Sequence, residues 1–128
     1  MTVPTASEPI IVDSSGWLEF ITADAKADLF DPYLRAPGLV VPAIVLYEVR
    51  KVLLNRQPKP IADRFVSEAL LHPIIPVDSD VALDAAALSL QHKLAMADAL
   101  VYAIASRLQA KLVTSDSDFG NLADVIVL

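Results

Sequence analysis

The stretch IIVDSS, residues 10–15, places three β-branched residues directly before a carboxylate and two hydroxyls. A continuous apolar run of this kind predicts a strand that is buried on both faces, as in a parallel sheet. Asp13 then lies at the carboxyl end of the strand, where open α/β sheets bind their ligands. Aspartate is also a preferred N-cap, so Asp13 alone is compatible with a binding role or with capping the next helix.

Short apolar runs recur along the chain and are separated by one or two helical segments. We predict strands at residues 10–12, 39–41, 74–77, 111–114 and 125–127, and helices at 15–22, 23–34, 43–55, 61–71, 78–91 and 94–108. Pro76 predicts an edge or terminal position for the third strand, because proline cannot donate to a central ladder. The alternation predicts a three-layer α/β/α sandwich with a mainly parallel sheet, in which right-handed crossovers bring the carboxyl ends of the strands to one edge.

The composition is typical of a globular protein. The chain has 128 residues, of which 55% are hydrophobic, with three glycines and no cysteine, so we expect one domain over residues 1–128 with a sizeable core. The lack of cysteine excludes disulfides and thiolate metal sites and is compatible with the cytoplasm, where we expect the protein. Pro4, Glu8 and Pro9 lie where a secretory signal would be basic and then apolar, so we expect no signal. The longest apolar stretches are too short to cross a bilayer.

The charge is acidic overall but unevenly distributed. A formal net charge of -6 argues against a broad basic face for duplex nucleic acid, although carboxylates gathered around a divalent cation would add to the acidic count. Half of the ten Lys and Arg residues lie in one short segment: Arg50, Lys51, Arg56, Lys59 and Arg64. This segment is either a solvated helix surface or a local cationic patch for phosphates.

Glu48 interrupts an apolar helical pattern. On a helical wheel it neighbours Ile44 and Val52, each four residues away, so we predict that it faces the core side of its helix. A carboxylate there is costly unless it is paired or bound to a cation. The simplest alternative to a binding role is an internal ion pair with Arg35 or Arg107.

Three more acids occupy unusual places. Asp98 lies within residues 94–108, the most apolar helical stretch, where helix stability gives no reason for an aspartate unless the helix starts later and Asp98 is its N-cap. Asp116 and Asp118 follow the strand at 111–114 and repeat the pattern of an apolar run and then an acid. Two acids in a serine-rich loop are also common in ordinary turns.

These acids suggest a metal site if they converge. Mutual repulsion between Asp13, Glu48, Asp98 and Asp116 would raise their pKa values and destabilise the fold unless a hard cation neutralised them. Oxygen ligands without cysteine, in a chain with two histidines, favour Mg²⁺ or Mn²⁺ over zinc. These ions serve phosphoryl chemistry.

Four segments, taken in order, resemble the motifs of PIN domains, and in particular those of VapC-type toxin ribonucleases of toxin-antitoxin operons. They are IVDSS at 11–15, VPAIVLYEV at 41–49, ADALVYAIA at 97–105 and VTSDSDF at 113–119. The resemblance extends from about residue 10 to the C-terminus. Many such toxins are more basic than this chain.

The resemblance implies a function and a set of site residues. The implied activity is that of a Mg²⁺-dependent endoribonuclease toxin, which hydrolyses RNA phosphodiesters with activated water and without a covalent nucleophile. The implied catalytic and metal-binding acids are Asp13, Glu48, Asp98 and Asp116, with Asp118 as an auxiliary acid, and the fourth ligand is Asp116, Asp118 or both. The implied supporting hydroxyls are those of Ser14, Ser15 and Thr114. A homodimer and an antitoxin whose tail blocks the acidic pocket are implied as well.

Other polar and aromatic side chains are less informative. Arg50, Lys51 and Arg56 are candidates for contacts to RNA phosphates. The helical spacing of Trp17, Phe20 and Tyr47 favours core packing over base stacking. His72 and His92 are isolated and next to helix ends, so we assign them no role in proton transfer.

Two other functions are compatible with parts of the pattern. The first is a non-catalytic PIN-like module for protein binding, with the acids as a vestigial metal site or a Ca²⁺ site. The second is a phosphoacceptor receiver domain, which needs an acceptor aspartate at the end of a central strand. The second and third apolar runs end instead at Pro42 and at Val77, before an aspartate that is predicted to be a helix cap.

Overall fold

The computed structural model describes residues 8–128 and contains a five-stranded parallel sheet. Its strands are β1 (Ile10–Val12), β2 (Leu39–Pro42), β3 (Ile74–Ile75), β4 (Lys111–Thr114) and β5 (Val125–Val127). Their spatial order is β3-β2-β1-β4-β5. The predicted three-layer α/β/α sandwich is confirmed, and Pro76 follows an edge strand as predicted.

Six helices and one 3₁₀ turn connect the strands. The helices are α1 (Ser14–Ile21), α2 (Ala27–Leu34), α3 (Ala43–Arg56), α4 (Lys59–Ala69), α5 (Ser79–His92) and α6 (Met96–Leu108), and the turn spans Ser117–Phe119. Three helix starts, those of α2, α4 and α6, differ from the prediction by two residues or more. Ala23 adopts a left-handed φ of 53°, so α2 begins four residues later than expected. The helix α4 begins at Lys59, two residues earlier than expected. Pro60 lies in its first turn, where the missing N–H of proline costs no helical hydrogen bond.

The start of α6 is a further correction. The apolar pattern predicts a helix from Leu94, but Lys93 ends α5 with a left-handed φ of 57° and α6 begins only at Met96. Leu94 is nevertheless buried, at 5% exposure. The apolar pattern therefore extends to Leu94, before the start of α6, because this residue is buried although it is not helical.

The core is built on β1. Ile10, Ile11 and Val12 are each fully buried, as the continuous apolar run predicts. The first turn of α1 packs directly onto this strand, because a Cβ at Gly16 would lie 2.5 Å from Val12 Cγ1. Glycine at this position thus lets α1 start immediately after β1, with Asp13 between them.

The topology brings two strand ends together at the middle of the sheet. From β1 the chain moves through β2 to β3 at one edge, and then returns to β4 on the other side of β1. Parallel sheets bind ligands where the strand order reverses in this way. Asp13 follows β1 and Asp116 follows β4, so both acids lie at this switch point.

Two expectations concern the membrane and the N-terminus. Within residues 8–128, no helix is both long enough and apolar enough to span a membrane. The expected absence of a secretory signal falls mainly on residues 1–7, which lie outside the described part of the chain.

Candidate metal centre

Asp13 is the most buried acid of the site, with 5% exposure. Its Oδ1 accepts hydrogen bonds from the Ser15 hydroxyl and, at 3.4 Å, from the Gly16 N–H. The bond from Gly16 makes Asp13 the N-cap of α1. The capping role considered from the sequence is therefore real, and it coexists with a position at the switch point of the sheet.

Thr114 joins the ends of β1 and β4. Its hydroxyl is fully buried and donates to Asp13 Oδ2 at 2.8 Å, while it accepts from the Asp116 N–H at 2.9 Å. The Ser115 N–H donates to the Ser15 hydroxyl oxygen at 3.1 Å. These bonds fix the backbone that carries Asp116 relative to the buried carboxylate of Asp13. The resemblance to PIN domains implied a supporting hydroxyl at Thr114, but not that it contacts both acidic segments.

Asp98, Asp116 and Asp118 form a compact group of carboxylates. One oxygen from each lies within 4.8 Å of the other two. Asp98 is in the first turn of α6, whose N-cap is Ala95, so the alternative that Asp98 itself is the N-cap is wrong. Because α6 starts later than predicted, Asp98 can nevertheless stabilise it, since carboxylates in a first turn interact favourably with the helix dipole. Asp116 accepts from the Asp118 N–H at 2.8 Å and caps the 3₁₀ turn.

The charges of neighbouring acids act on Asp98, Asp13 and Glu48. Partial burial raises the pKa of Asp98 to about 6, and the neighbouring charges of Asp116, Asp13, Glu48 and Asp118 contribute to this rise. Burial raises the pKa of Asp13, and hydrogen bonds from Ser15 and Thr114 oppose the rise. Burial also raises the pKa of Glu48, which the Ser14 hydroxyl opposes and the charge of Asp13 reinforces. The structure thus brings together all five acids that the sequence singled out.

Glu48 differs from its prediction in one respect. It is half-buried at the edge of the core and not within it, whereas Val45, Val49 and Leu53 form the buried face of α3.

No cation from residues 8–128 forms an ion pair with any of the five acids. Arg35 pairs with Asp31, and Arg107 pairs with Asp80 and Asp84. The alternative that Arg35 or Arg107 neutralises Glu48 is therefore wrong.

A family model described as PIN domain matches residues 10–125. The chain belongs to the PIN domain family. No curated protein was found to be similar in sequence.

Solved structures share the fold of this PIN domain at low sequence identity. A toxin-antitoxin complex from Klebsiella pneumoniae superimposes with a TM-score of 0.80 at 20% identity, covering 92% of this chain and 96% of that one. DNA-bound VapBC from Salmonella typhimurium gives 0.75 at 11% identity, with 94% and 97% covered. The sarcin-ricin loop cleaving toxin VapC20 from Mycobacterium tuberculosis gives 0.72 at 20% identity, with 91% and 98% covered.

The acidic pocket of this PIN domain fits a divalent cation by its donor chemistry. Its donors are carboxylate oxygens, which Mg²⁺, Mn²⁺ and Ca²⁺ prefer. Three of them already lie close together at Asp98, Asp116 and Asp118. Burial and the charges of the neighbouring acids raise the pKa of Asp98, and a bound cation would favour its charged form.

The aromatic side chains of this PIN domain divide between core and surface. Trp17 is buried and packs edge-on against Phe65 with ring centroids 5.3 Å apart, so core packing is confirmed for it. The same prediction is wrong for Tyr47, which is 58% exposed, and for Phe20, which is 39% exposed. Neighbouring helices leave these two positions uncovered, and sequence periodicity does not record that.

Proposed function

We propose that this PIN domain is a Mg²⁺-dependent endoribonuclease and that it acts as the toxin of a toxin-antitoxin pair. The observation that carries the proposal is the convergence of acids from four separate segments in one pocket that receives no cation from residues 8–128. Such a pocket is unfavourable on its own and becomes favourable with a divalent ion. The proposed ligands are Asp13, Glu48, Asp98 and Asp116, with Asp118 as an auxiliary ligand.

The protein residues have distinct tasks in the proposed reaction. A divalent cation in the pocket would supply the Lewis acidity that activates water and stabilises charge on a phosphodiester. Asp13, fixed by Thr114 and Ser15, presents oxygens in a constant position. Asp98 must release its proton before it can serve as a ligand, so protons compete with Mg²⁺ and the affinity for Mg²⁺ is expected to fall as the pH decreases below about 6. The mechanism requires no covalent nucleophile.

Two further observations bear on partners. A similar structure from Klebsiella pneumoniae is a toxin-antitoxin complex, and another from Salmonella typhimurium is DNA-bound VapBC, which supports a cognate antitoxin for this chain. Large apolar side chains are exposed on α5 and at the first residue of α6, with Leu83 at 71%, Leu90 at 86% and Met96 at 74%. Exposed apolar surface of this kind supports the expected homodimer. We expect this activity in the cytoplasm, where RNA and Mg²⁺ are available.

Cleavage of RNA by matched variants tests the proposal. Wild type, Asp13→Asn and Asp28→Asn are incubated with total RNA in Mg²⁺ and, separately, in EDTA. Asp28 is an exposed acid in the first turn of α2 and controls for loss of a negative charge. We expect cleavage only in Mg²⁺, equal activity for wild type and Asp28→Asn, and loss for Asp13→Asn beyond the roughly 10–100-fold that removal of an outer-shell partner costs.

Two results would contradict the proposal. Cleavage that persists in EDTA, or that survives in Asp13→Asn, would remove the metal-assisted mechanism. Mg²⁺ binding without any RNA cleavage would favour the protein-binding module with a retained cation site.

A further inference from the structure

An open groove of about 860 Å³ runs along the exposed side of α3. Glu48, one of the five converging acids, forms part of its wall, together with Tyr47, Arg50, Lys51 and Arg56. We call it the α3 groove. Glu48 therefore contributes both to the wall of the α3 groove and to the group of converging acids.

The charged side chains of the α3 groove other than Glu48 are all basic. Arg50 is engaged by Asp63, with Nη1 3.1 Å from its Oδ1. Lys51 and Arg56 take part in no ion pair within residues 8–128. The groove therefore offers two free cations beside an acidic pocket, on a chain with a net charge of -6. Local cations of this kind attract phosphates in spite of an acidic average.

Tyr47 is the exposed aromatic side chain of the α3 groove. More than half of its surface is accessible, at 58%, so the ring is available to a ligand in the groove. The Lys51 Nζ lies 5.7 Å from the centre of the Tyr47 ring, within the range of a cation–π interaction. An aromatic face and a cation at this spacing are the elements with which proteins hold unpaired nucleotides.

We propose that the α3 groove binds single-stranded RNA on its way to the acidic pocket, with one base stacked on Tyr47 and phosphates against Lys51 and Arg56. This inference rests on the proposed function and names the path of its substrate. Arg56 lies nine positions after Tyr47, or about 14 Å along α3. The groove is therefore longer than a single nucleotide and can hold a short run of them.

A second copy of this chain is the competing occupant, because Tyr47 and Leu54 also expose apolar surface, at 58% and 48%. In a two-fold symmetric contact centred on this face, the basic lining of one copy would face the same lining of the other, and Glu48 is the one acid in that lining. Like charges in that arrangement are unfavourable. RNA, in contrast, supplies both the negative charge for Lys51 and Arg56 and a flat surface for Tyr47.

RNA binding by inactive variants tests the inference. A fluorescein-labelled single-stranded RNA of mixed sequence is titrated with Asp98→Asn protein, alone and combined with Tyr47→Ala, Tyr47→Phe or Lys51→Gln, and binding is followed by anisotropy at several salt concentrations. Matched controls outside the groove are Phe20→Ala, which removes another exposed aromatic, and Arg64→Gln, which removes another exposed cation.

The variants have distinct expected effects. Tyr47→Ala should weaken binding about 5- to 100-fold, and Tyr47→Phe should restore it, because the ring stacks and the hydroxyl does not. Lys51→Gln should reduce the slope of log affinity against log salt by about 0.7, the value for one phosphate contact to a single strand. Phe20→Ala and Arg64→Gln should leave the affinity within about twofold of the parent and the slope unchanged.

The outcomes separate this inference from the proposed function. If wild type cleaves RNA but Tyr47→Ala and Lys51→Gln bind and cleave as wild type does, the α3 groove is not the RNA path although the nuclease proposal stands. If the protein binds RNA through these residues but does not cleave it, the proposed RNA path stands and the nuclease proposal is wrong. If Tyr47→Ala converts a dimer to a monomer in analytical ultracentrifugation while the salt slope of Lys51→Gln is unchanged, the groove is a subunit contact and the inference is wrong.

Discussion

Removing the negative charge of Asp98 should stabilise the protein when metal is absent. The folded protein holds the Asp98 proton up to about pH 6, whereas the unfolded chain releases it near 3.8. Between these values the folded state binds more protons, so the free energy of unfolding decreases as the pH rises from about 4 to 6 and stays lower above that range. Asp98→Asn removes the group responsible, and the decrease should become smaller.

The size of the effect follows from the pKa. A rise from 3.8 to about 6 corresponds to about 3 kcal/mol at 1.36 kcal/mol per pH unit. Solvent screening of this partly exposed carboxyl reduces the value to about 1–2 kcal/mol. Loss of the favourable interaction with the α6 dipole costs about 0.3–1 kcal/mol. The net gain at pH 8 is therefore about 1 kcal/mol, or roughly 3–5 °C in Tm for a chain of this length.

Thermal unfolding followed by circular dichroism measures this gain. Wild type, Asp98→Asn and Asp28→Asn are compared at pH 8 in EDTA and in Mg²⁺. Asp28→Asn also removes a first-turn acid, so it reports the dipole contribution alone and should lower Tm slightly. In Mg²⁺ the order should reverse, because wild type gains stability from the bound ion and Asp98→Asn gains little. If Asp98→Asn lowers Tm in EDTA as Asp28→Asn does, the acids do not repel one another as the structure indicates.

Three further substitutions test how the site is built. Gly16→Ala should lower the free energy of unfolding by about 1–3 kcal/mol in urea titrations, because its Cβ would lie 2.5 Å from Val12 Cγ1; an unchanged midpoint would show that α1 does not pack this closely. Thr114→Val should cost about 1–3 kcal/mol and weaken Mg²⁺ binding, since a donor and an acceptor lose their partner, while Thr114→Ser should retain most of both. Asp116→Asn should weaken Mg²⁺ binding in calorimetry more than Asp118→Asn, because Asp116 is partly buried and Asp118 is exposed; the reverse order would make Asp118 the principal fourth ligand.

The strands of this fold could be predicted because local and tertiary requirements agree. The run at residues 10–12 is apolar and β-branched, and the structure buries it on both faces. The same agreement located the strand at 111–114 within its exact bounds. Helix starts were harder to predict, because Leu94 is apolar for reasons of burial and not because it belongs to α6. Apolar periodicity records burial, and burial extends beyond helix ends.

The acids of the site could be predicted because each one either interrupts an apolar helical pattern or follows directly on an apolar strand. Glu48 and Asp98 interrupt apolar patterns, and such residues are retained where an interaction elsewhere in the fold compensates. What each acid contacts could not be predicted. The bond from Thr114 to Asp13 joins residues 101 positions apart, and the exposure of Tyr47 depends on which helices leave α3 uncovered. Both depend on tertiary packing, which a single sequence pattern does not contain.

Calorimetric titration of Mg²⁺ into metal-free protein is the most direct test of the acidic pocket as a cation site. Wild type and Asp28→Asn should show the same saturable binding, and this binding should disappear in Asp98→Asn and in Asp116→Asn. Identical titration curves for all four proteins would contradict the account, because they would show that the converging carboxylates do not hold the ion.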